Sequence, residues 1–275
     1  MSDLRQSVML FPFHKQLADG TLSPGDMLSE FHKAGLTGLE PSVFRRSETP
    51  SWWGDLVSGA KDLGMEFACC VISCNLVGES EADRQAALDW VAQGVEISAS
   101  LGCPTVLVAG SRPAPGMSNE EGRKVLAGAL AKAAERAQGS GVTVTIEDFG
   151  VYPEFTCSSE HVLEVVQAAA HPNLKVTFDN GNFLFADDTP VQAFPRLKEL
   201  IRHVHIKDFV PGEPGSGRRW VGTNIGSGQA MVRESLALVK GMEYKGWVSL
   251  EVSIAPPLPE AVQAAKVVRD LWAEV

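Results

Sequence analysis

Basic residues are scarce in this sequence: 24 Lys and Arg stand against 34 Asp and Glu, a formal charge of -10. A nucleic-acid partner needs a basic face to displace counterions, so that class is excluded. Long apolar runs are missing too. Nothing approaches the roughly eighteen residues of a membrane span, and no membrane partner is expected. The amino terminus, Met1-Ser-Asp-Leu-Arg-Gln, holds no apolar stretch of signal-peptide length, so the chain is expected to work in the cytoplasm. Cysteine is sparse and odd in number. Cys69, Cys70, Cys74, Cys103 and Cys157 contain no Cys-x-x-Cys pair, which signals neither a disulfide framework nor a thiolate zinc site.

What is present is a regular alternation of short β-type runs and longer helical patterns over 275 residues, with 44% hydrophobic and 21% charged residues. That rhythm predicts βαβ units around a parallel sheet, and the length suits one (β/α)8 TIM barrel, an α/β fold, in a single domain spanning residues 1–275. Strands are predicted at residues 8–13, 38–41, 66–73, 105–110, 142–149, 174–180, 203–209 and 248–253. Helices are predicted at 25–34, 52–63, 81–101, 119–138, 159–169, 190–200, 229–240 and 259–272. Ser118, ahead of Asn119-Glu-Glu, and Ser158 or Ser159 read as N-caps, and Gly35, Gly64, Gly102 and Gly139 as C-cap glycines.

Four of the predicted strands end on metal-liking side chains: Thr143-Val-Thr-Ile-Glu147, Lys175-Val-Thr-Phe-Asp179, Arg202-His-Val-His205 and Trp247-Val-Ser-Leu-Glu251. An ionised carboxylate is costly to bury without a partner. Three carboxylates and one imidazole delivered from separate strands predict an open site for one divalent metal ion at a barrel mouth. Hard oxygens with one nitrogen suit manganese, magnesium, cobalt or zinc. A divalent ion chelated by a carbonyl and its neighbouring hydroxyl stabilises an enediolate, and carboxylates beside it can carry the proton.

The runs Ile146-Glu-Asp, Phe178-Asp-Asn-Gly-Asn, His203-Val-His-Ile-Lys-Asp and Ser249-Leu-Glu resemble the motifs of the sugar phosphate isomerase/epimerase family, in the xylose isomerase-like TIM-barrel superfamily. The resemblance implies a metal held by Glu147, Asp179, His205 and Glu251, with Glu147 and Glu251 on opposite faces of the substrate as a proton-exchanging pair. It also implies a small carbohydrate-like substrate and, by analogy with such barrels, a dimer or tetramer. Two departures stand out. The ketose 3-epimerases carry a histidine three residues after the aspartate ligand, where this chain has Asn182, and an arginine a few residues after the histidine ligand, where it has Ile-Lys-Asp-Phe-Val-Pro. The superfamily also includes inosose dehydratases, dehydroshikimate dehydratases and lyases that open 3-keto-glycosides, so a lyase or dehydratase is the alternative to an isomerase or epimerase.

Further residues are weighed individually. Lys207, on the His205 face of its strand, either neutralises a substrate oxygen or pairs with Asp208. Glu40 either accepts a substrate hydrogen bond or pairs with Arg45 or Arg46. His14 is read as a substrate contact or a surface residue, and His203 as facing away from His205 against a helix. Residues 210–227, rich in Gly and Pro, are expected as a structureless loop over the mouth, bringing Arg218 or Arg219 to the substrate. Trp52, Trp53 and Trp220 are read as a pocket wall or as packing, and Gly226-Ser-Gly228 as a short phosphate-binding signal. An endonuclease IV-like nuclease needs many histidine ligands, and this chain has six histidines in all. A non-catalytic binding barrel would need no pair of candidate bases.

Overall fold

A computed structural model describes residues 4–275; the first three residues of the amino-terminal reading lie outside them. The strands and helices follow in this order: β1 (Arg5–Met9), α1 (His14–Asp19), α2 (Pro24–Lys33), β2 (Gly38–Glu40), α3 (Trp53–Asp62), β3 (Glu66–Phe67), β4 (Cys70–Ser73), α4 (Glu81–Ser100) and β5 (Thr105–Ala109). There follow α5 (Asn119–Arg136), β6 (Thr143–Glu147), α6 (Ser159–Ala169), β7 (Leu174–Asp179), α7 (Pro190–Leu197), β8 (Ile201–Ile206), β9 (Asp208–Pro211), β10 (Trp220–Thr223), α8 (Val232–Gly241), β11 (Trp247–Leu250) and α9 (Pro257–Glu274). Around the ring the strands run β3, β2, β1, β11, β8, β7, β6, β5, β4, parallel at every pairing. This is the expected α/β barrel.

The predicted strand at 66–73 is split. β3 pairs with β2 and β4 with β5. Ala68 N–H donates to Leu39 at 2.8 Å, Val71 N–H to Pro41 at 2.9 Å and Val43 N–H to Val71 at 3.0 Å, so one ring position is filled by a strand that keeps its contact with the β2 side and gains β5 as a second partner from Cys70 onward. The first strand also ends early. Phe11-Pro12-Phe13 forms a short 3-10 turn leading into α1, a ninth helix absent from the prediction, because proline has no N–H to give a ladder. Helix α8 starts at Val232 and α7 stops at Leu197 before a further 3-10 turn. The predicted caps are present: Ser118 closes a capping box with Glu121, Ser158 caps α6, and the four C-cap glycines have positive φ. No described helix is long and apolar enough to cross a membrane.

Side-chain alternation positions the chemistry. Val144, Ile146, Val176, Phe178, Val204, Ile206, Val248 and Leu250 point outward into the core beneath the helices. Their neighbours point into the barrel, where register sets Asp179 and Ser249 beside His205 and Thr177 beside Glu147 and His203. The expectation that His203 faces away from His205 fails for a simple reason: residues two apart on a strand share a face, and the two imidazole centroids lie 5.2 Å apart inside the barrel.

Ring closure leaves no room for a side chain at Gly38. A Cβ there would stand 2.6 Å from the Trp247 ring and 2.7 Å from the Ser7 Cβ. Gly38→Ala is therefore expected to lower stability by about 1–3 kcal/mol through overpacking, read as a fall in the urea midpoint with unchanged slope.

Candidate metal centre

Four consecutive ring strands, β6, β7, β8 and β11, deliver Glu147, Asp179, His205 and Glu251 to one mouth. His205 Nδ1 is fully buried and has no hydrogen-bond partner. It faces three carboxylate oxygens at the same distance, 3.7 Å to Glu147 Oε2, 3.7 Å to Asp179 Oδ2 and 3.7 Å to Glu251 Oε2. Donor atoms bound to one ion at about 2.1 Å lie about 3–4 Å apart, so this spacing and the orphaned nitrogen fit a divalent cation. The donors of Glu147, Asp179 and His205 all lie within 4.8 Å of one another.

Local geometry aims each ligand. Asp179 Oδ1 accepts the N–H groups of Gly181 and Asn182 at 2.9 and 3.0 Å, which uses one oxygen to close the turn after β7 and leaves the other for the cage. Asp148 Oδ1 accepts the Asp179 N–H at 3.0 Å. Burial, with the Asp179 charge beside it, pushes the Asp148 carboxyl well up. Burial likewise raises Glu147, against the pull of His205. Asp179 stays below its ordinary range: burial would raise it, but Lys207 and His205 outweigh that.

Beneath the cage lies Glu40, completely buried. Its two oxygens meet His203 Nε2 and His205 Nε2, each at 2.8 Å. Burial would raise its carboxyl, but the two imidazoles hold it well below the carboxylate range. Glu40 is thus paired with neither Arg45 nor Arg46, nor is it open to a substrate. It fixes His205 from behind, so that the opposite nitrogen faces the carboxylates, which is the usual support of a metal-binding imidazole. Only the fold brings these residues together, across 165 positions of chain.

Lys207 joins the site. Its Nζ lies 2.9 Å from both Asp179 Oδ2 and Glu251 Oε2 and donates to Asn182 Oδ1 at 3.2 Å; its expected alternative partner, Asp208, is elsewhere. Burial would lower this ammonium, but Asp179 and Glu251 raise it. A cavity of about 330 Å³ opens above, lined by Glu147, Asn182, Lys207 and Glu251 on one side.

Other expected contacts are not brought here. His14 packs among Phe11, Phe44 and Trp52, and burial lowers its pKa. Trp52 and Trp53 pack on Phe44, outside the cavity. Residues 210–227 are not structureless: β9 and β10 form an antiparallel hairpin, pinned by the Trp220 indole donating to the Leu184 carbonyl at 3.0 Å. Arg218 is exposed on that hairpin away from the cavity lining, and Arg219 pairs with Asp187. The phosphate signal at Gly226-Ser-Gly228 is answered from within the chain. Asp208 accepts N–H groups from Gly226 at 3.0 Å, Gly228 at 2.7 Å and Ala230 at 2.9 Å, besides that of Phe209. A Cβ at Gly228 would collide with this carboxylate.

Residues 28–271 match a family model described as a xylose isomerase-like TIM barrel. Among curated proteins, the inosose dehydratase of Clostridium botulinum (strain Alaska E43 / Type E3) is 23% identical over 168 residues, 55% of this chain and 55% of that protein. The match thus spans little more than half of that relative's length. Among solved structures, the IOLI protein with a bound zinc atom superposes with a TM-score of 0.79 at 17% identity over 98% of this chain and 99% of that one. L-ribulose 3-epimerase gives 0.74 at 17% identity over 99% and 95%.

If Glu40 positions His205, Glu40→Gln weakens divalent-metal affinity by about 10–100-fold while the circular dichroism spectrum is retained. Equilibrium dialysis against zinc checks this; unchanged affinity removes the positioning role.

Proposed function

The chain belongs to the xylose isomerase-like TIM-barrel family, and from that premise we propose that it is a divalent-metal-dependent isomerase or epimerase of a sugar or sugar-like ketone, transferring a proton by carboxylates through an enediolate. The carrying observation is the equal 3.7 Å spacing of the partnerless His205 Nδ1 from Glu147, Asp179 and Glu251 at the floor of a cavity. Glu147, Asp179, His205 and Glu251 would hold the ion, which supplies polarisation of the substrate carbonyl and acidifies the neighbouring C–H.

The protein groups divide the remaining work. Glu147 and Glu251 come from the outer two of the four strands, bracketing Asp179 and His205, an arrangement that suits the proton exchange on opposite faces of the carbon that the family resemblance implies. Burial raises the Glu147 carboxyl, while Glu251 is a quarter exposed and ion-paired with Lys207. Lys207 and Asn182 hydrogen-bond the substrate oxygens that gain charge. A zinc-bound structural neighbour and an epimerase neighbour support this reading as likenesses of fold.

A second reading, a lyase or dehydratase on a keto-sugar or keto-cyclitol, is favoured by the curated relative named inosose dehydratase. It begins with the same removal of a proton α to the carbonyl. The electron pair then expels the β-oxygen, which takes up the proton held by the carboxyl that removed it and leaves as water or an alcohol, with Lys207 as its hydrogen-bond donor.

Asp179→Ala is expected to lose metal and activity together, and full occupancy by elemental analysis in that variant sinks the assignment. Glu147→Gln and Glu251→Gln keep the fold and lose about 10²–10⁴-fold in turnover. Incubation of ketoses and keto-cyclitols in deuterated water separates the two readings: an epimerase leaves solvent deuterium in a product of unchanged composition, and a lyase releases a group. Near wild-type turnover in both Gln variants would rule out proton transfer by these carboxylates.

A further inference from the structure

The barrel interior is divided lengthwise. Opposite the ligand strands, Met9, Cys69, Val71 and Leu107 form an apolar cluster of their own, separate from the main core beneath the helices, with Ala109 packed against it. The cavity lies across the boundary, bounded by Glu147, Lys207 and Glu251 on one side and Met9, Val71 and Leu107 on the other. Its rim carries the two most exposed large hydrophobic residues among those described, Phe11 at 67% and Val151 at 65%. An apolar rim that continues an apolar wall marks a binding surface more strongly than scattered exposed side chains do.

Among the described residues this wall offers only Ser42 and Ser73 as hydrogen-bonding side chains, so the hydroxyls a polyhydroxylated substrate laid on Met9, Val71 and Leu107 would lack partners, at about 1–3 kcal/mol each. A phosphate fares worse. Lys207 is the only Lys or Arg lining the cavity among the described residues, and Asp179 and Glu251 already share it. The glycine-loop N–H groups that could cradle a phosphate are taken by Asp208.

Resting on the metal-site reading above, we propose that the substrate is an unphosphorylated, two-sided ketone: an α-oxygenated edge that meets the carboxylates, Lys207 and Asn182, and a hydrocarbon or aromatic body that lies on Met9, Val71 and Leu107 and leaves between Phe11 and Val151. The body is selected by burial of apolar area and the edge by the ion and its ligands.

Calorimetric titration of the manganese-loaded protein with hydroxyacetone, 2-hydroxyacetophenone, D-fructose and D-fructose 6-phosphate tests this. The aromatic hydroxyketone is expected to bind at least about tenfold more tightly than hydroxyacetone, by burial of its ring. D-fructose 6-phosphate binds no more tightly than D-fructose. In the double variant Phe11→Ser, Val151→Ser the ratio between the two hydroxyketones shrinks toward one. A ratio near one in the wild type, an undiminished ratio in the variant, or a tenfold preference for the phosphate ester overturns the proposal. Hydroxyacetone binding repeated on chelator-stripped protein keeps the two readings apart. If it is the same with and without metal, the metal-site reading itself fails; if it needs metal and the ring adds nothing, only the substrate class is wrong.

Discussion

A single carboxylate shared by two imidazoles underlies the site. Glu40 lies at the centre of the barrel with no access to water, and only the contacts with His203 and His205 make its charge tolerable there. The same contacts set which nitrogen of His205 faces upward. Three more carboxylates then crowd the upper side of that ring, with Lys207 as the one ammonium among them. Negative charge at this density in a low-dielectric interior calls for further positive charge, and this demand, as much as donor chemistry, is what a cation at the mouth would answer.

Much of this was legible in the sequence because strand alternation writes inward residues at every second position. Thr143-Val-Thr-Ile-Glu147 and Lys175-Val-Thr-Phe-Asp179 place Val, Ile and Phe outward and the ligands inward, and the quartet could be read from run endings alone. Applying the same parity to His203 would have turned it inward beside His205. The role of Glu40 was not legible, since its partners are far away in the chain and no local pattern links a three-residue strand to them. Asp208 misled in a related way. Glycine-rich N–H groups ahead of a helix suit any anion, and a carboxylate eighteen to twenty-two residues upstream answers them as well as a phosphate does. The hairpin escaped notice because strands of four residues rich in Gly and Pro carry little periodicity.

Membership of the family settles the scaffold and leaves the reaction open for a physical reason. Once a proton has left the carbon beside a carbonyl, the fate of the electron pair depends on what the substrate carries next to it and on which group returns a proton. In the proposed reading the first event falls to the carboxylates at the strand ends. Selection among substrates would then fall to the other half of the interior, where Met9, Val71 and Leu107 face the cavity.

The split strand carries a consequence of its own. The strand gains its second neighbour only at Cys70, and on the eight-position ring it lies directly across from β8, the strand of His205. The lower half of the split strand, Glu66 and Phe67, pairs with β2 alone, whereas Cys70 to Ser73 pair with β5 and Val71 is bonded on both edges. Exchanges at Val71, which lines the cavity from this doubly held segment, would change the girth of what the chamber admits without moving the strands of Glu147, Asp179, His205 and Glu251.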